Sequence, residues 1–238
     1  MLFTKENTVQ LATNGYTIVE DVYTAEQTEA IKCRLASFPS GSSGETYAIR
    51  QVMTICNNLA DLVFTPAFGS LLVSAAAENY FLVKSIYFDK PADANWFVSL
   101  HQDLSIAVKE KQETEGFSGW VPKPDHYTVQ PPVTILERQL TLRIHLDDTT
   151  AANGALQVVP GSHCDGVVRP EKYAAAKREY GEVPAGGIML MRPLLQHASG
   201  RTTNGQRRRV LHLEFNNVQL PDPLQWAEQM DICNYAGF

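Results

Sequence analysis

The sequence predicts a mainly β protein, a sandwich, jelly roll or barrel flanked by helices. Beyond residue 133 short apolar runs recur at strand spacing, separated by turn signals. Within them, residues 140–146 alternate, with Leu140, Leu142, Ile144 and Leu146 on one face and Thr141, Arg143 and His145 on the other. The helical patterns fall mostly before residue 80, so they flank the β region rather than interleave with it.

Residues 4–14 read as a short helix stopped at Gly15, followed by a strand over 16–19. Thr24 is an N-cap with Gln27 as its capping-box partner, opening a helix to about Phe38 that Pro39 ends. Residues 40–44 are a glycine-serine loop too short for a domain linker. A buried helix is expected over 62–77, then strands over 81–88 and 96–100 separated by a Pro-Ala-Asp-Ala-Asn turn. Residues 109–132 carry a charged run and four prolines, and are expected to be irregular, part of a lid-like insertion at about 104–132. After the run at 140–146 come an Asn153-Gly154 turn, a strand over 155–159 and the turn Pro160-Gly161-Ser162-His163. A helix over 170–179 and strands over 181–184, 187–191, 194–197 and 208–216 complete the expectation.

At 238 residues this is expected to be one domain, 1–238. A net charge of −6 argues against nucleic acid or an anionic membrane as the main partner. Cys33, Cys56, Cys164 and Cys233 lack paired ligand spacing and read as free thiols in a reducing compartment. Residues 1–7 carry early charges without an apolar segment, and no apolar run approaches the roughly 20 residues that span a bilayer. A cytoplasmic protein acting on a small molecule is expected; the oligomeric state is not readable.

The chemistry gathers around His101-Gln102-Asp103. Residues two apart on a strand share a face, so an imidazole and a carboxylate project together and can hold a divalent metal. With 6 histidines and 11 aspartates, chance supplies about 0.3 such patterns, so alone the motif is weak. His197, which follows an apolar strand and a Pro turn, is a third candidate ligand 96 residues on. Two histidines and one carboxylate make the facial triad of non-haem Fe(II) oxygenases, with positions open for O2 and a cosubstrate. Arg208, eleven residues after His197, shares a strand face with Val210, His212 and Glu214. Its planar fork suits a carboxylate, so metal and guanidinium together could position 2-oxoglutarate. Arg207 and Arg209 read as solvated charges.

These motifs, with Leu142 to Asp148, Asn153-Gly154-Ala155-Leu156, the Pro-Gly-Ser-His turn and His197-Ala198-Ser199, resemble the phytanoyl-CoA dioxygenase family from about Gly15 to about Phe215. The resemblance implies a double-stranded β-helix (jelly roll, cupin-like) and an Fe(II)- and 2-oxoglutarate-dependent oxygenase that consumes O2 and releases succinate and CO2. It makes His101, Asp103 and His197 the catalytic iron ligands, Arg208 the partner of the far carboxylate of 2-oxoglutarate, and Ser199 a supporting hydroxyl. Arg143 stands where relatives often place a pocket-facing Trp, so it contacts either the cosubstrate or an acidic group on the substrate. Gly186-Gly187 stands where many relatives have Gly-Asp. Related halogenases lack the carboxylate, so Asp103 implies hydroxylation, with desaturation or cyclisation open to the same chemistry. The substrate class implied is a small metabolite or natural-product intermediate. Two alternatives stand beside it: a non-catalytic ligand-binding jelly roll, and a cupin-like metalloenzyme that does not use 2-oxoglutarate. His145 reads as structural or pocket-lining, and His126, His163 and His212 as structural. Trp96 reads as core, and Lys90 as nearer a ligand than Lys84 or Arg138.

Overall fold

A computed structural model describes residues 2–36, 48–76, 79–90, 96–232 and 235 of the chain. Its first elements follow the local signals. Helix α1 (Lys5–Thr13) opens on a Thr4 capping box and precedes Gly15, whose φ of 80° suits glycine. A Cβ there would fall 2.5 Å from His163 Nδ1, so the Pro-Gly-Ser-His turn lies directly on this bend. Strand β1 (Tyr16–Val19) leads to α2 (Ala25–Ala36). At its start Thr24 N donates to Gln27 Oε1 at 2.9 Å and Gln27 N donates to Thr24 Oγ1 at 3.2 Å, the expected capping box. The helix end at Pro39 and the loop at 40–44 lie outside the described residues.

Strand β2 (Ala48–Arg50) and helix α3 (Val52–Ile55) come next, and helices α4 (Leu59–Val63) and α5 (Pro66–Ala76) replace the single helix expected over 62–77. Pro66 is the reason. Inside a helix it clashes with the preceding turn, but it suits the first turn of a new one. Thr65 Oγ1 caps that new start by accepting from Phe68 N at 3.3 Å.

After β3 (Phe81–Lys90) and β4 (Val98–His101), the segment expected to be irregular forms a small sheet. Its strands are β5 (Ile106–Val108), β6 (Ser118–Pro122) and β7 (Tyr127–Gln130), followed by α6 (Val133–Glu137) where only strands were expected. Pro122 ends β6, and Pro131 and Pro132 follow β7, so these prolines border strands rather than interrupt them. Ile106, Val108, Phe117 and Val129 build its core against Leu194, Leu220 and Trp226.

The C-terminal half supplies β8 (Leu140–His145), β9 (Leu156–Val158), β10 (Glu179–Gly181), β11 (Ile188–Met191), β12 (His197–Ser199) and β13 (Arg208–Asn216). The helix expected over 170–179 shrinks to one 3-10 turn at Pro170–Tyr173, because the segment has no stripe of large apolar side chains to bury. The strand expected over 194–197 starts only at His197.

Two antiparallel sheets frame the molecule, ordered β1-β11-β8-β13-β3-β2 and β10-β9-β12-β4, with β5-β7-β6 as the third. The alternation in β8 and β13 sets which face meets which layer. Leu142, Ile144, Leu211 and Leu213 turn to the helices and pack with Ile31, Phe64 and Phe68. Each such leucine contributes roughly 1.5–3 kcal/mol by its burial. The opposite face of the six-stranded sheet meets the four-stranded one, where Met189 and Met191 pack on Leu156 and Val158. This is the two-sheet jelly roll expected. Next to those methionines the inner face turns polar, with Arg143, His145, Arg208, His212 and Glu214 all buried.

Candidate metal centre

Strands β4 and β12 are neighbours, and their register sets His101 directly opposite His197. Cross-strand partners lie close; the two imidazole centroids are 4.2 Å apart. His101 Nδ1 lies 2.8 Å from Ser99 O, and His197 Nδ1 lies 2.9 Å from Leu195 O. A carbonyl only accepts, so each Nδ1 carries the hydrogen and each Nε2 presents a lone pair. Asp103, just past β4, is held by its N–H donating to Pro193 O at 2.9 Å. Its carboxylate oxygens lie 3.8 Å from His101 Nε2 and 3.7 Å from His197 Nε2. One ligand atom from each of the three falls within 4.8 Å of the others.

Asp103 Oδ2 is buried and has no hydrogen-bond partner among the described residues. An unpaired buried carboxylate oxygen is costly, and a cation at the centre of this group relieves it. That oxygen and two convergent imidazole lone pairs fit a divalent metal with coordination positions to spare. Burial acts to raise the Asp103 carboxyl, but His197, His212, Lys84 and His101 outweigh it and hold it at about 2. Burial lowers His197 to about 4, with Asp103 opposing, so its ring is neutral at pH 7 and available to a metal.

The triad opens into a cavity of about 160 Å3 between the two sheets, walled by Ile86, Phe88, Val98 and Leu156. No residue of the 104–132 segment lines it. Arg208 enters from the six-stranded sheet by strand parity. Arg207 donates to Asp89 at 2.8 and 2.5 Å, and Arg209 to Asp147 at 2.8 and 2.7 Å. The residue between them must face the other way, and Arg208 is 5% exposed. Its Nη2 donates to Ser199 Oγ at 3.4 Å, and Ser199 Oγ donates to Gly154 O at 3.1 Å. Gly154 has φ 87°, and a Cβ there would fall 2.7 Å from Gly200 O, so this turn needs its glycine to lie against β12. Arg208 Nε and Nη1 are buried without partners among the described residues. Burial, then repulsion from Arg143, lowers Arg208 to about 9, which still leaves it charged at pH 7.

Arg143 also lines the cavity, with its guanidinium 5.8 Å from the Phe88 ring centroid. It sits opposite His212 in the β8–β13 register, and its Nη1 donates to His212 Nδ1 at 2.8 Å. His212 Nε2 then donates to Glu214 Oε1 at 2.9 Å. Glu214 is further held by Lys84 Nζ at 2.9 Å and Gln139 Nε2 at 2.8 Å. His212, Glu214 and Lys84 are cavity residues that sequence reasoning missed, and His212 is a cavity group rather than a packed strand residue. Trp96 likewise lines the cavity rather than the core. Lys90 is buried beside the site, its Nζ donating to Gly200 O at 2.7 Å and Trp96 O at 3.1 Å. Of the other histidines, buried His145 is held to Thr149 Oγ1 by its Nδ1 at 2.7 Å and does not line the cavity. Cys33, Cys56 and Cys164 are free, and Cys233 lies outside the described residues.

A family model described as phytanoyl-CoA dioxygenase (PhyH) matches residues 11–210. An L-proline trans-4-hydroxylase from Streptomyces griseoviridis is 32% identical over 109 residues, a match covering 33% of this chain and 41% of that protein. The fold is shared with the non-haem α-ketoglutarate-dependent carbocyclase SnoK from nogalamycin biosynthesis, at TM-score 0.69 and 15% identity over 91% of this chain and 85% of that one. It is shared too with EctD from S. alaskensis in complex with 2-oxoglutarate and 5-hydroxyectoine, at TM-score 0.69 and 18% identity over 92% and 79% of the two chains. No helix among the described residues is long and apolar enough to cross a membrane.

Proposed function

The chain belongs to the phytanoyl-CoA dioxygenase family, and from that premise we propose that it is an Fe(II)- and 2-oxoglutarate-dependent oxygenase of a small molecule. Its reaction is hydroxylation of a metabolite or natural-product intermediate, with release of succinate and CO2, carried out within one domain. The observation that carries this reading is the His101, Asp103 and His197 group, whose ligand atoms converge within 4.8 Å. When bound, the iron supplies the oxidative chemistry, the activation of O2 coupled to decarboxylation of the 2-oxo acid. The protein supplies the rest. Ser99 O and Leu195 O fix the tautomer and tilt of the two imidazoles, so both Nε2 lone pairs are aimed before any metal arrives. Arg208 and Ser199 hold the far carboxylate of 2-oxoglutarate, which gives the partnerless Arg208 Nε and Nη1 their acceptor. Ile86, Phe88, Val98 and Leu156 keep water from the reacting end. The names of the relatives support a small-molecule substrate: one hydroxylates proline and one closes a carbocycle.

The test is anaerobic. Fe(II) followed by 2-oxoglutarate is added to the purified metal-free protein, and the weak visible charge-transfer band of the chelate is sought. The band is expected in the wild type and absent in His197→Ala. Iron binding without a band points to a cupin-like enzyme that does not use 2-oxoglutarate; no metal binding overturns the triad.

A further inference from the structure

We infer that Arg143 anchors an acidic group of the primary substrate, so that this oxygenase acts on small molecules carrying a single carboxylate. The inference rests on the oxygenase reading above and goes beyond it by assigning the substrate class.

Charge balance across the cavity is the first argument. Among the residues that line the cavity, Lys84, Arg143 and Arg208 face Asp103 and Glu214, three cations to two anions. A divalent metal adds two positive charges and the 2-oxoglutarate dianion removes them. The lining of the loaded site therefore keeps one positive charge in excess, with buried Lys90, bonded to the carbonyls of Gly200 and Trp96, a further cation beside it; a low-dielectric cavity holds such charge only at a cost until an anion joins it.

The hydrogen bonds say which residue carries that charge. Lys84 is neutralised by Glu214 at 2.9 Å, and Arg208 takes the cosubstrate. Arg143 has no carboxylate partner among the described residues. Its Nη1 is spent on His212 Nδ1, which must accept because a guanidinium only donates, and the ring's Nε2 hydrogen goes to Glu214. This chain holds Arg143 in place without neutralising it. Its Nε remains a buried donor with no acceptor among the described residues, a group that calls for a ligand.

Position separates Arg143 from the cosubstrate's far end. Arg143 pairs in register with His212, whereas Arg208 lies four residues earlier on β13, about 13 Å along the strand. His212 offers a nitrogen within 4.8 Å of an Asp103 oxygen. Arg143 thus stands at the metal end of the cavity, where a substrate must present its reacting carbon, and Arg208 at the other.

The experiment uses matched acids and amides as probes: L-proline with L-prolinamide, phenylacetate with phenylacetamide, and hexanoate with hexanamide. Each is titrated anaerobically against the full chain loaded with Mn(II) and 2-oxoglutarate, following thermal stability and tryptophan emission, to which Trp96 in the cavity wall contributes. At least one acid is expected to bind about tenfold or more tightly than its amide, as for a charge-assisted hydrogen bond. That preference should vanish in Arg143→Gln and survive in part in Arg143→Lys, with 2-oxoglutarate affinity unchanged. The wild-type comparison stands even where a variant fails to fold. Three results overturn the inference: no acid preferred in the wild type, a preference that persists in Arg143→Gln, or a tenfold loss of 2-oxoglutarate affinity in that variant, which would give Arg143 to the cosubstrate. Failure of the oxygenase reading shows separately, as a wild type that does not take up 2-oxoglutarate at all.

Discussion

The two walls of the cavity are built on opposite plans. The four-stranded sheet and the turn after β4 present His101, His197 and Asp103, groups that offer lone pairs. The six-stranded sheet presents Lys84, Arg143 and Arg208, groups that offer only N–H donors. The first wall is oriented by backbone, with each imidazole tied to the carbonyl two residues before it, Ser99 O or Leu195 O, at 2.8 or 2.9 Å. The second is oriented by side chains, through His212, Glu214 and Ser199. Backbone tethers make a metal site whose geometry is a property of the sheet. Side-chain tethers make an anion site that can change its partner by a substitution, and Arg143, held through His212, is one such position.

The sharpest way to break this division is to remove the one anion of the metal wall. Asp103→Ala deletes a carboxylate that two imidazoles and Lys84 surround. Succinate formation coupled to substrate oxidation is expected to fall to background, while Arg208 and Ser199 stay in place. Normal coupled turnover by Asp103→Ala would show that the metal lies elsewhere. On the anion wall, Arg208→Ala is expected to raise the 2-oxoglutarate concentration for half-maximal binding by about a hundredfold, the loss of a buried charge-assisted pair. Metal affinity without cosubstrate should stay as it was. Arg207→Ala is the control, since Arg207 is turned outward onto Asp89 and its loss should change 2-oxoglutarate binding less than about threefold. An effect of Arg207→Ala as large as that of Arg208→Ala would erase the distinction between the faces of β13.

The sequence carries these walls unequally. His101 and Asp103 are readable as a pair because a spacing of two at a strand end favours a shared direction, and His197 and Arg208 take their roles from the family resemblance, since nothing local says which strands meet. Thr24 with Gln27, and the alternation of 140–146, are likewise local statements. The Lys84, Glu214, His212 and Arg143 chain is not local. It depends on which residue of β13 lies opposite which of β8 and β3, and a slip of one position would turn each of these side chains to the other face. His212 and Glu214 therefore look in sequence like the polar half of any alternating strand. The 104–132 segment hides its strands for another reason: a proline at a strand end and a proline inside a strand look alike in sequence, and Pro122, Pro131 and Pro132 stand at ends. Pro66 is the same lesson for helices.

The smallest expected effect concerns only the metal wall, and acid reads it. His197 is buried among Asp103 and His101 with its pKa lowered from 6.5 to about 4 by that burial. As pH falls, the unfolded chain takes up this proton first. The stability that a neutral His197 contributes is therefore fully present above pH 6.5, is lost between 6.5 and 4, and changes no further below about 4. At pH 5 the gap of about 1.5 pH units corresponds to roughly 2 kcal/mol relative to pH 7. His145, also buried and lowered, acts in the same direction. Asp103, held near 2, titrates below this window and does not contribute to it. The measurement is chemical denaturation of the metal-free protein at pH 7 and pH 5, for the wild type and for His197→Gln. The wild type should lose about 2 kcal/mol more than the variant, whose amide has no proton to gain. Equal losses would mean that His197 meets water freely, and the metal wall would then have to be assembled by the ion rather than by the carbonyls of Ser99 and Leu195.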